Sequence, residues 1–216
     1  MKNTLKITAL LLAFLLGSSL FFGCDKILPD NGNENPTEVL SAPDYSAADI
    51  GECVRLGEYK NITVEASGSN SSADVALWNK IVSNAEIIKY PDEALSYYKK
   101  QEQSRYEYLA EEGKMSYDEL LSSLGVTEAD IESEAKAYVK SDLVKLAIIE
   151  TEGLHLTDDE KSRLFDKYVY KFTEIYGYSA EHVRENLSDE IYDAMQYDKM
   201  MEFLLINNTV KAITEE

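Results

Sequence analysis

Three stretches of the chain repeat apolar residues at the three- and four-residue spacing of one helix face. Ile131, Ala135, Tyr138/Val139, Leu143 and Leu146 form the first stripe. Leu164/Phe165, Tyr168/Val169, Phe172 and Ile175/Tyr176 form the second. Leu187, Ile191, Ala194/Met195, Met201 and Leu204/Leu205 form the third. Local signals bound these stripes. Thr127 with Asp130 resembles a capping box and opens the first helix, which Gly153 ends in a left-handed turn. Thr157 and Glu160 have full capping-box spacing and open the second, which ends before Gly177. Asp189 starts the third, to about Asn207. The stretch LVKLAIIETEGLHLTDDEKSRL, Leu143 to Leu164, therefore stops one helix and starts another within a few residues.

Upstream the pattern predicts more helix. Val75, Trp78 and Val82 mark a face from about Ser72 to Ala85, with Trp78 as a core anchor. Pro91, Asp92 and Glu93 suit a first helical turn, where proline loses no bond and acids meet the positive end of the dipole. That helix should run to Glu112, with Gly113 past its end. Its middle, KKQEQSR, Lys99 to Arg105, is polar on every face, which predicts a solvent-bridging arm. Ser116 opens a short helix ending at Gly125, and Ser179 opens another short turn. Strand signals are confined to CVRLGEYKNITVEA, where Val54/Leu56 and Ile62/Val64 alternate about a turn at Gly57-Glu58, predicting a β ribbon. The expected architecture is mainly α: a multi-helix body over 72–208 with a long arm helix and a short β linker over 52–66.

Composition and the N-terminus add location. Lys2 and Lys6 precede an uncharged run, Ile7 to Phe22, too short for a spanning helix and followed by Gly23-Cys24. Residues 1–23 read as a secretory signal. LFFGC resembles the bacterial lipobox, which would make Cys24 a lipidated N-terminus on the outer face of a Gram-positive-type membrane. Phe21 and Phe22 stand where the lipobox favours Leu and a small residue, and ordinary cleavage nearby is the alternative. Residues 24–51, rich in Asn, Pro, Asp and Ser, read as a flexible tether. Cys53 then has no intramolecular partner and reads as a small hydrophobe.

Charge narrows the partners. The chain carries a formal net charge of −19, and loss of the signal would remove two lysines and no acids. Such a surface excludes nucleic acid and repels anionic headgroups, so the membrane would be met through the lipid alone. Enzyme motifs are nearly absent. His155 and His182 have no Cys or His at metal-ligand spacing. Asp158-Asp159 and Asp189-Glu190 sit in helix first turns, where acids stabilise open N–H groups. No catalytic residue, cofactor or metal is expected. The 15 tyrosines are the remaining bias, and Tyr suits adaptable contact surfaces.

LGEYKNITVEA, LWNKIVSNAEIIKYPDEAL, VTEADIESEAKAYVKSDLVKLAIIETEGLHLTDDE and GYSAEHVREN resemble segments of the trigger factor family of chaperones, over about residues 54–208. The related SurA-like peptide-binding domain shares that architecture. The resemblance implies a helical domain whose arms form a cradle for unfolded or nascent secreted polypeptides. Tyr97, Tyr98, Tyr106 and Tyr108, which flank the polar middle of the arm, are the candidate substrate-binding residues. Two family parts are missing from the pattern. A signal segment and acidic tether stand in place of the ribosome-docking domain, so no ribosome contact is implied. SGSNSSAD stands in place of the prolyl isomerase domain, so that activity does not carry over. Two other readings stay open: a scaffold lipoprotein holding one folded partner, and a prolyl isomerase. Oligomeric state is not legible.

Overall fold

The computed structural model of the protein describes residues 48–67 and 73–213, together with Pro43 and Tyr45. The signal segment 1–23, Cys24 and most of the tether lie outside the described residues. Among the described residues the chain is mainly helical, with eight helices and four short strands. In order these are α1 (Ile50–Cys53), β1 (Val54–Arg55), β2 (Thr63–Ser67), α2 (Ala73–Asn84), β3 (Glu86–Ile87) and α3 (Asp92–Gly113). There follow α4 (Tyr117–Leu124), α5 (Glu128–Glu152), α6 (Asp158–Tyr176), α7 (Ala180–Asn186), α8 (Ser188–Ile206) and β4 (Thr209–Ile213). The chain divides into two compact units. One comprises Tyr90–Lys140; the other comprises Asp49–Lys89 with the chain from Ser141 onward. The backbone of α5 runs through both.

In the second unit the chain departs from the expected ribbon. β1 and β2 do not pair with each other. β1 pairs antiparallel with β3, Val54 opposite Ile87, and β2 pairs in parallel with β4, from Thr63 opposite Thr209 to Ser67 opposite Ile213. The cause is the route of the link between them. At Gly57 the backbone passes directly over Asn84, and a Cβ there would fall on the Asn84 carbonyl oxygen, well inside contact distance. Asn84 Nδ2 donates to the Glu58 carbonyl at 2.8 Å. Asn61 takes a left-handed φ of 60°. Asn208 then fastens the link, donating to Tyr59 O at 2.9 Å and accepting from Ile62 N at 2.9 Å. Each strand thus finds a distant partner instead of its neighbour.

The core of this unit follows the stripes with shifts. Tyr168, Val169 and Phe172 of α6 pack with Val183 of α7 and with Leu187, Ile191 and Met195. Trp78 is buried and donates its Nε1–H to Ser141 Oγ at 3.1 Å. Ile175 and Leu205, expected on apolar faces, are 48% and 39% exposed. On α5, Leu146 is only half-buried while Val144, Ile148 and Ile149 are buried. This half of α5 is covered over more than one face, which a single-stripe reading does not anticipate.

The joint after α5 is built as its sequence implies and is tied down besides. Gly153 has φ 63°. Thr157 and Glu160 exchange cap bonds, Thr157 N to Glu160 Oε2 at 2.8 Å and Glu160 N to Thr157 Oγ1 at 3.2 Å. From α8, Gln196 clamps the loop backbone on both sides, accepting from Leu156 N at 3.0 Å and donating to Leu154 O at 2.9 Å. Lys199 donates to His155 O at 2.9 Å and to Glu160 at 2.8 Å. With the cap bonds, Lys199 draws the Glu160 carboxyl down to about 2.

Replacing Gly57 by Ala should cost about 1–3 kcal/mol, because the new methyl meets backbone that cannot rotate aside. Urea unfolding read by the fluorescence of Trp78, the single tryptophan, checks it; an unchanged midpoint would contradict the close approach.

Candidate functional site

The four tyrosines singled out by the sequence lie on α3, in the unit Tyr90–Lys140. Helix α3 spans 22 residues, and Asp92 and Glu93 occupy its first turn. Its end differs from expectation. Gly113 is still helical and Lys114 takes the left-handed position, φ 53°. Met115 folds back over Gly113, which leaves little room for a Cβ, and Met115 N closes the turn on Ala110 O at 3.0 Å. Ser116 and Glu119 then form a complete capping box for α4.

Tyr106 and Ala110 of α3 pack with Leu120 and Leu121 of α4 and Ile131 of α5. Tyr106 is therefore a core residue, at 4% exposure. Tyr97 is also buried, its ring edge-on to Tyr98 at 5.1 Å between centroids. Tyr98 and Tyr108 are half-buried. Tyr98 in turn stacks on Tyr138 of α5, 5.3 Å away and 19° from parallel. The structure thus gathers Tyr97 and Tyr98 with Tyr138, puts Tyr106 in the core, and leaves Tyr98 and Tyr108 accessible.

The polar middle of α3 is not solvent-bridging as expected. Glu102 is 4% exposed. It touches the Arg105 guanidinium one turn along the helix, and Arg105 also reaches Glu134 of α5 at 3.1 Å. The Arg105 guanidinium lies 5.0 Å from the centre of the Tyr106 ring. Burial pushes the Glu102 carboxyl up to about 7 against the opposing pull of Arg105. A hydrogen bond and like charge from Glu134 push the same way, and a Tyr138 hydrogen bond pulls back. Burial also raises Tyr106 and Tyr138, with the two carboxyls adding to the effect. One cation thus serves two carboxyls. At the rim, Gln103 and Tyr117 both donate to Glu128, and Glu132 joins Lys136 at 2.6 Å and Lys99 at 3.7 Å.

Sequence reasoning missed Glu102, Arg105, Glu134 and Tyr138 as a group, although a signal existed. Tyr98, Glu102, Tyr106 and Ala110 recur every four residues, so Glu102 continues the face its aromatic neighbours define. In the other unit, a shallow open depression of about 440 Å³ is lined by His155, Lys161, Asp189, Tyr192, Asp193 and Gln196 among others. Its polar groups are largely engaged within the protein. Asp193 holds Lys145 at 2.8 Å, Lys161 lies over the Tyr192 ring, and Gln196 holds the loop. His155 is a loop residue, 3.2 Å from Glu150.

Among the described residues no group of three or more His, Cys, Asp or Glu is placed to hold a metal ion. No helix among them is long and apolar enough to cross a membrane. No family model matches the chain, and no curated protein matches it.

Arg105→Met should cost on the order of 3 kcal/mol at pH 8, because it strands a buried carboxylate. The cost should shrink at pH 5.5, where Glu102 is neutral without help. Urea titrations followed by far-UV circular dichroism at the two pH values check this; equal costs would contradict the burial of Glu102.

Proposed function

We propose that the protein is an extracytoplasmic, chaperone-like lipoprotein that weakly holds unfolded secreted polypeptides, built on a helical domain of the trigger factor and SurA-like kind. Lipid on Cys24 anchors it, and the acidic tether separates the body from the membrane. The observation that supports the reading best is α3. This helix opens at Pro91, where the resemblance expects an arm, and it carries Tyr98 and Tyr108 half-exposed among charged side chains. Such rings offer apolar faces and a polar tip with only two rotatable bonds to immobilise. Side chains of this kind bind many sequences weakly and release them quickly. Tyr97 and Tyr106 act as the packing beneath these contacts. The net charge of −19 keeps the protein soluble and favours neutral or basic segments in its clients.

The purified full chain, at several-fold molar excess, should suppress light scattering from a reduced, unfolded secreted protein. Joint replacement of Tyr98 and Tyr108 by Ser should remove about 1 kcal/mol of binding, roughly fivefold in the concentration required. No suppression by the unaltered chain would sink the proposal. A pull-down yielding one stoichiometric folded partner would favour a scaffold role instead.

A further inference from the structure

We propose that the unit Tyr90–Lys140 contains a pH-responsive latch, in which the buried carboxyl of Glu102 on α3 takes up a proton beside Arg105, whose one guanidinium also reaches Glu134 of α5. The proton holds the two helices together in mild acid, and its loss to water loosens them. The geometry carries this. Glu102 is almost fully buried, and α3 brings Arg105 and Tyr106 to it. Helix α5 brings Glu134 and Tyr138. Helix α4 faces this unit's core with Leu120 and Leu121, and its Glu119 is held by the cap at Ser116. The Lys99–Glu132–Lys136 group is solvent-accessible at the rim and half-exposed on each side chain.

Charge balance then sets the direction. With the proton present, the cluster holds one guanidinium, one carboxylate and one neutral carboxyl, and it is neutral. The proton lies on Glu102, which leaves the guanidinium to Glu134 at 3.1 Å. Without it, two carboxylates meet one guanidinium, and desolvation of the charge on the buried Glu102 is only partly offset by Arg105. The folded unit binds this proton more tightly than an open chain does, because its carboxyl is raised from 4.5 to about 7. Closure is therefore favoured below that range, and stability falls as pH rises through it, levelling off above. The Tyr98–Tyr138 stack bridges the same two helices and would separate with them. The latch does not depend on what the protein binds.

The test is hydrogen exchange by mass spectrometry on the full chain between pH 6 and pH 8, corrected for the intrinsic pH dependence of amide exchange. Peptides from α3 and from 128–140 should lose protection about tenfold over this range. Peptides from α6 and α8 should not follow that profile. Glu102→Gln should flatten the α3 profile, and Glu134→Gln should do so independently. Wild-type protection that does not change with pH, or variants that keep the wild-type profile, would overturn the latch. Carbon-13 titration of glutamate carboxyls in the unaltered protein needs no variant: one should titrate near neutrality. All carboxyls titrating below about pH 5.5 would overturn it equally.

Discussion

The burial of α5 is the constraint on which the remaining structure depends. Ile131, Ala135, Val139, Leu143, Val144 and Ile148 are each fully enclosed along its 25 residues. A Leu or Ile removed from water contributes about 1.5–3 kcal/mol, so no other helix carries as much of the described core in so continuous a row. Its first half supplies Ile131 to the core of Tyr90–Lys140. Its second half supplies Leu143 and those after it to the other unit. Lys145, also buried, is held by Asp193 at 2.8 Å and Asp142 at 3.9 Å, which keeps a cation within an otherwise apolar run. Within that second unit, specific polar ties add to the buried area. Gln196 and Lys199 hold the loop after it, and Tyr59 and Lys60 both donate to Glu152 at its end, at 2.6 Å and 2.7 Å.

What was legible in the sequence was local. Thr157 with Glu160, Ser116 with Glu119, and Gly125, Gly153 and Gly177 announce helix ends through hydrogen bonds that span four residues or fewer. These signals lie within the window in which pattern reasoning operates, and the helices end close to where they indicate. The strands failed for the opposite reason. Val54 pairs with Ile87 and Thr63 with Thr209, so the partner of each lies far along the chain, and β4 in TVKAI carried no turn signal to betray it. Gly57 carries the letter of a turn residue, but its role is to admit the Asn84 backbone.

The candidate site was half legible. Tyr98 and Tyr106 were visible as aromatics on a long helix, but Glu102 between them read as solvated because its letter is acidic. Its burial depends on Arg105 one turn away and on Glu134 and Tyr138 from a separate helix, a three-dimensional coincidence that periodicity alone does not contain. The same cluster explains why a helix with a polar middle can still pack. Its apolar ends anchor it, while the centre sets Arg105 against both Glu102 and Glu134. A centre of this kind is specific in geometry but sensitive to protonation, unlike the aliphatic row of α5.

The claim that the core rests on the buried row of α5 is tested most directly by comparing Leu143→Ala with Leu205→Ala in urea unfolding of the full chain. Both delete the same atoms, from a fully enclosed site in α5 and from a 39% exposed site in α8. Leu143→Ala should cost about 2–5 kcal/mol and Leu205→Ala less than about 1 kcal/mol. Equal, small losses at the two positions would contradict the account.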